Sequence, residues 1–166
     1  MKIEFKKLTE IDQNEIMALM NNVLVQRQMP LLGEHFTAED CEEFLATKHA
    51  MWEEFGYGPW AFVVDGRFAG WGGLQPENGE ADLGLVLHPD YWGLGRILYQ
   101  RIMDQAFGEM GFKTVTVLLP PSRKRVRGLL RLGFEKDGEL IIEGERFLRY
   151  RLNRPQHRSV SGEEMP

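Results

Sequence analysis

Residues 82–107, DLGLVLHPDYWGLGRILYQRIMDQAF, form one device: a strand ending at Leu87, a tight glycine-rich turn, and an amphipathic helix starting near Leu94. Gly93 and Gly95 carry no Cβ, so the backbone between strand and helix can turn sharply and come close to an anion. The unpaired amides and the positive dipole of the helix end face that anion. The stretch therefore reads as a phosphate cradle, with a phosphorylated cofactor as its expected occupant.

A P-loop ends in Gly-Lys-Ser/Thr so that lysine and hydroxyl meet phosphate and magnesium, whereas Gly95 is followed by Arg96 and Ile97. A dinucleotide-binding turn wants a third glycine after Gly93 and Gly95, and an acidic residue closing the next strand to hold a ribose. Leu98 stands in that glycine's place, and the next strand, Thr114 to Leu119, runs into Pro120-Pro121. Both points argue against a nicotinamide nucleotide.

What remains is Trp92-Gly93-Leu94-Gly95-Arg96-Ile97 after a central strand. This resembles the Gln/Arg-x-x-Gly-x-Gly/Ala pyrophosphate loop of the GNAT superfamily of N-acyltransferases. Tryptophan in the first place, preceded by His88-Pro89-Asp90-Tyr91, is similar to the branch that holds ribosomal-protein-alanine acetyltransferases and many small-molecule acetyltransferases. A second family signature, a helix closing in Leu-Gly-Phe, stands at Leu132-Gly133-Phe134, so the resemblance spans residues 1–152. It implies an α/β fold with a mixed, mostly antiparallel central sheet flanked by helices, and acetyl-CoA as co-substrate. Departures accompany the matches. Ile97 replaces a small residue, and its bulk would weaken or reshape the site. Ser122 and Arg125 replace an Asn-x-x-Ser helix start, and Leu129 replaces a tyrosine that other branches use as general acid.

The chain has 166 residues, 43% of them hydrophobic and 27% charged, which suits one compact globular domain and disfavours disorder. No uninterrupted apolar run marks a secretion signal or a membrane span, so a cytoplasmic location is expected, without membrane partners. A net charge of −5 argues against nucleic acid, which needs many cations on one face. Charge is unevenly placed: Arg123, Lys124, Arg125, Arg127 and Arg131 cluster, and acids flank Cys41 from Glu39 to Glu54. That juxtaposition suits an anionic CoA and a cationic amine acceptor, although two solvated helix faces explain it equally well. Cys41 is the only cysteine, which excludes an internal disulfide and favours packing over catalysis. His35, His49, His88 and His157 lack metal-ligand spacing, and no metal is expected.

Periodicity predicts a strand over Ile3–Leu8, then a helix capped by Thr9 and carrying Ile11, Ile16, Leu19, Met20 and Val23, ended by a turn at Pro30–Gly33. A second helix runs from Thr37 to about Phe55, and a Gly56–Pro59 break leads into a buried strand, Trp60–Val64. Asp65-Gly66 joins it to Phe68–Leu74, where Gly70, Gly72 and Gly73 either thin a bend or admit a ligand. After the fourth strand the central helix ends at Gly111, Thr114–Leu119 forms a strand, and Ser122–Leu132 a short helix. Phe134–Ile142 and Glu145–Leu152 then pair around Glu143-Gly144, and 153–166 reads as a mobile tail.

Acyl transfer from a thioester to an amine needs positioning, removal of the amine proton, a site for the oxyanion and an exit for the thiolate. By resemblance, the backbones of Leu85, Val86 and Leu87 hold the pantetheine arm as an added strand would, and an amide there faces the oxyanion. Asp82 matches a position where several family members carry a glutamate base, and Glu80 lies on the same strand face. Either is alternatively a solvated strand-end charge. Tyr57, Tyr91 and Ser122 are further proton-donor candidates. Trp92, Gly93, Leu94, Gly95, Arg96 and Ile97 form the diphosphate loop, while Ser122, Arg123, Arg125 and Arg127 could meet the nucleotide phosphates. Trp52, Phe55, Tyr57 and Trp60 wall the acceptor or pack the core. The expected function is N-acetyl transfer to a small-molecule, protein or peptide amine, with a homodimer left open. The alternative is a non-catalytic CoA-binding regulatory or interaction module.

Overall fold

A computed structural model of the protein describes residues 1–29, 31–123 and 126–154. One seven-stranded sheet, in the order β1-β2-β3-β4-β5-β7-β6, is its frame. The strands are β1 (Ile3–Lys6), β2 (Pro59–Val64), β3 (Arg67–Glu77), β4 (Glu80–Leu87), β5 (Thr114–Leu119), β6 (Glu135–Ile142) and β7 (Glu145–Asn153). All neighbours are antiparallel except β4 and β5. The hairpins turn on Asp65-Gly66, Asn78-Gly79 and Glu143-Gly144, each with both residues at positive φ, the geometry that matches strand twist.

The helices α1 (Gln13–Met20), α2 (Val23–Gln26) and α3 (Ala38–Phe55) precede β2, whereas α4 (Gly95–Phe107) and α5 (Arg127–Arg131) follow β4 and β5. Ile16, Leu19, Met20, Val25, Cys41, Ala61 and Trp71 form a core under α1–α3. Leu98, Ile102, Met103 and Ala106 of α4 bury against Phe62, Leu74, Leu83, Leu87, Val115 and Val117 on the opposite face. No helix among the described residues is long and apolar enough to cross a membrane.

Several boundaries differ from the sequence expectation. The first helix is capped by Asp12 rather than Thr9, and it breaks at Asn21-Asn22. Asn22 caps α2 through Leu24 and Val25 amides, and Asn21 bridges both backbone groups of Phe36, so side-chain amides outcompete helix continuation. Thr37 caps α3 as expected, in a capping box with Asp40. The central helix stops at Gly108, not Gly111. Downstream, α5 is five residues long and leaves Ser122 outside it. Asn153, expected in the tail, closes β7, and the Arg154 amide reaches the Lys113 carbonyl at 2.6 Å. The rest of the expected tail, 155–166, lies outside the described residues, as do Pro30, Lys124 and Arg125.

Gly70 and Gly72 serve the sheet rather than a ligand. A Cβ on either would stand 2.2 or 2.3 Å from the Val86 or Gly84 carbonyl of β4, and one on Gly73 would strike the Trp60 ring.

Candidate active site

β4 and β5 run parallel, and their ladder consists of the single pair Asp82↔Thr116. Toward the C-terminal end β4 has a partner only on its β3 side, so the two strands leave a gap that begins at Asp82. The His88 amide donates to the Ala69 carbonyl, which by antiparallel alternation turns the backbone groups of Val86 and Gly84 toward β3 and those of Leu85 and Leu87 toward the gap. Val86, expected to join them, therefore does not. The Leu87 carbonyl is taken by the Trp92 indole N–H at 2.9 Å. What faces the gap is the Leu85 amide and carbonyl and the Leu87 amide.

At the mouth of the gap the chain makes a 3-10 turn, Pro89–Leu94, started by His88, whose Nδ1 accepts from the Asp90 amide at 3.1 Å. It feeds α4 directly. Leu94 occupies the cap position and offers no side-chain acceptor, and the Gly95 amide is taken by the Trp92 carbonyl, so it is the amides after Gly95 that no cap side chain meets. Gly95 has ordinary helical backbone (φ −52, ψ −41), and a Cβ built on Gly93 or Gly95 meets nothing within 4 Å. The fold itself thus requires neither glycine. Ile97, in the same turn, is 42% exposed. These features fit an anion that approaches the backbone closely, as a diphosphate does.

Because β4 and β5 are parallel, the turn after β5 opens at the same sheet end as the cradle. Ser122, Arg123 and Arg127 are exposed there, and Arg96 is exposed on the first turn of α4. None of these arginines forms an ion pair among the described residues. Arg125 lies outside them.

Asp82 sits at the vertex of the gap, half-buried, with the Thr116 hydroxyl donating to its Oδ1 at 2.8 Å. Burial lifts its pKa to about 7; the Thr116 hydrogen bond opposes the shift, and the field of Glu77 adds to it. Glu80 has a different environment. Both of its oxygens accept from Arg151, at 3.0 and 2.7 Å, and Arg151 also holds Asp137 at 2.8 Å, so hydrogen bonding lowers the Glu80 pKa. One carboxylate on this face is poised to exchange a proton near neutrality, and the other is locked in its ionised form.

On the same face, Lys48 of α3 donates to Gln75 Oε1, and Gln75 is the cross-strand neighbour of Asp82. Burial lowers the Lys48 pKa to about 8, with Glu77 opposing. Sequence reading missed Lys48, Gln75, Thr116 and Arg151, since strand register and the packing of α3 over β3 place them beside Asp82 and Glu80. The remaining proton-donor candidates lie elsewhere. Tyr57 packs edge-on against Phe112, and burial raises its pKa; Tyr91 leans on His88, and Ser122 is exposed. Trp60 and Tyr57 pack into the α4-side core, and they line a hollow with Trp52, Phe55, Met110 and Phe112 on the face opposite Asp82. Leu129, at the tyrosine position, packs against the same core.

A family model described as an acetyltransferase (GNAT) domain matches residues 2–135. Solved structures share the fold at low identity. An acetyltransferase from Agrobacterium tumefaciens is 19% identical, with 91% of this chain and 90% of that chain covered and a TM-score of 0.72. An aminoglycoside acetyltransferase, AAC(6')-Ib, in complex with coenzyme A is 16% identical over 92% of this chain and 95% of that chain, with a TM-score of 0.73. A spermidine N-acetyltransferase from Vibrio cholerae, in complex with CoA and spermine, is 16% identical over 92% and 95%, with a TM-score of 0.68.

Proposed function

The chain belongs to the GNAT acetyltransferase family, and from that premise we propose that it transfers the acetyl group of acetyl-CoA directly to an amine, with Asp82 as general base. One arrangement carries this reading: Asp82 stands at the vertex of the β4–β5 gap, and the glycine turn into α4, with open space over Gly93 and Gly95 and no side-chain cap, lies at its other end. The rise from Asp82 to Leu87 is roughly 17 Å, the scale of an extended pantetheine arm between diphosphate and thiol. Within the family, Trp92 and the His88-Pro89 lead assign the chain by resemblance to the branch of ribosomal-protein-alanine and many small-molecule enzymes. The aminoglycoside and polyamine in the names of its structural neighbours favour a small-molecule acceptor over a protein or peptide.

Acetyl-CoA supplies an activated acyl group and a thiolate that leaves readily, since thiols ionise near pH 8.5. The chain's own residues do the rest. First-turn amides of α4, with Gly93 and Gly95 admitting close approach, hold the diphosphate; exposed Arg96, Arg123 and Arg127, with the Ser122 hydroxyl, meet the nucleotide phosphates. The Leu85 amide and carbonyl and the Leu87 amide pair with the pantetheine arm, and an amide in this row faces the oxyanion. Ionised Asp82 accepts the proton of an amine whose solution pKa is near 10. Glu80 positions Arg151 instead of taking a proton. With leucine at position 129, solvent protonates the departing thiolate.

Acetyl-CoA at about a hundredfold excess over its Kd is expected to stabilise the protein by roughly 2.7 kcal/mol, read as a raised Tm, and an amine panel should release CoA. Stabilisation without release from any amine would identify a silent binder. No stabilisation at all would remove the cofactor itself.

Thr116→Val tests the base more finely. The lost hydroxyl takes away a hydrogen bond that favours ionised Asp82, so the Asp82 pKa rises and the acid limb of kcat/KM moves to higher pH, by up to about one unit. A limb that stays in place, measured by varying the acceptor at saturating acetyl-CoA, would show that Asp82 is not the titrating group.

A further inference from the structure

Asp82 is not the only charge facing this side of β3 and β4. Lys48 reaches over the sheet from α3, its ammonium 5.4 Å from the Phe44 ring centre and 5.1 Å from that of Trp71. Its hydrogen-bond partner among the described residues is Gln75 Oε1, which leaves two of its N–H groups unused. An ammonium can only donate, so this contact fixes the Gln75 amide with Nε2 turned toward β4. There Nε2 stands 3.7 Å from the point a Gly84 Cβ would occupy, and nothing else lies within 4 Å of that point. No other side chain outside the chain neighbours of Gly84 comes that close to its outer face. Asp82 borders it from two residues earlier on the strand, and Gln75 and Lys48 border it from the β3 side. Glu77 is the remaining charge whose field reaches both Lys48 and Asp82, because Glu80 is neutralised by Arg151.

We infer that the acceptor is an amine that also bears a carboxylate, its ammonium meeting Asp82 and its carboxylate meeting Gln75 Nε2 and the unused donors of Lys48. The inference rests on the proposed transfer reaction and on Asp82 as its base. A carboxylate satisfies donors that a cation cannot, and a diamine or polyamine brings a second positive charge toward Lys48. Such a slot discriminates by charge complementarity at one end and proton removal at the other.

The experiment uses the full chain with acetyl-CoA and a panel of amino acids, the carboxamide of each, and diamines of matching length. The wild type should favour each amino acid over its carboxamide by about tenfold or more in kcat/KM, and over the diamine by a wider margin. Lys48→Met keeps the aliphatic stem between Phe44 and Trp71 and should bring the amino acid to within about twofold of its carboxamide, through the acceptor KM, with the KM for acetyl-CoA unchanged. Lys48→Arg should keep the preference. Equal or better use of diamines by the wild type, or an intact preference in Lys48→Met, overturns the inference and leaves amine acetylation standing. Should Lys48→Met not fold, the wild-type panel alone decides. Absence of CoA release with every amine, despite stabilisation by acetyl-CoA, removes the transferase reading and this inference with it.

Discussion

Asp82→Asn is expected to lower kcat by roughly 10²–10⁴-fold while acetyl-CoA binds as before, because the amide cannot accept the amine proton in its place. The same variant should be the more stable protein. Burial holds the folded-state pKa of Asp82 near 7, against 3.8 for a free side chain, so the folded chain keeps this proton over a range in which the unfolded chain has lost it. Unfolding then releases a proton, and the native state loses stability as pH rises from about 4 to about 7. Above that window the ionised, half-buried carboxylate costs on the order of 2–4 kcal/mol, which asparagine avoids. The groups that set this cost are the Thr116 hydroxyl, which lowers it, and Glu77, which raises it, with Lys48 one strand away. Denaturant titrations at pH 4.5 and pH 8.5 should show wild type and variant converging at the lower value and separating at the higher. Full turnover in Asp82→Asn would dismiss the base, and convergence at both pH values would dismiss the shifted pKa.

The opposed environments of Asp82 and Glu80 show how far residue patterns reach. Period-two alternation places both carboxylates on one face of β4, and that much is legible in the letters. Which one titrates depends on partners 34 and 71 residues away: Thr116 beside Asp82 and Arg151 beside Glu80. Those partners arrive through the parallel β4–β5 pair and the β5–β7 ladder, where Thr116 faces Arg151. No local spacing encodes a cross-strand register. Hairpin pairing was legible for a different reason, since turn dipeptides such as Asp65-Gly66 and Glu143-Gly144 act within a few residues. Helix boundaries were less so wherever a polar side chain had a choice. Asn21 and Asn22 sit in a run with helical spacing, yet the Asn22 side chain caps the next helix start and the Asn21 amide binds the Phe36 backbone, a contact that exists only once the α2–α3 segment folds back.

Gly95→Val should separate what the fold needs from what the ligand needs. At this position the backbone is already helical and the Cβ direction is empty, so the folded protein has room for the side chain. Replacing glycine there also removes unfolded-state entropy, and a Tm equal to or slightly above that of the wild type is expected. Binding should respond in the opposite sense. The added methyl groups occupy the space through which a diphosphate approaches the α4 amides, and each charge-assisted hydrogen bond lost is worth about 1.5–3 kcal/mol. Losing one or two of them predicts a Kd for acetyl-CoA raised by roughly a hundredfold, measurable by calorimetry on a fully folded variant. Ile97, exposed in the first turn of the same helix, supplies the internal comparison. Ile97→Ala trims bulk beside the cradle without touching the amides, so its effect on affinity should be within about threefold. A Gly95→Val protein that binds acetyl-CoA as tightly as the wild type would mean that the diphosphate does not rest on these amides, and the gap at Asp82 would then need a different occupant.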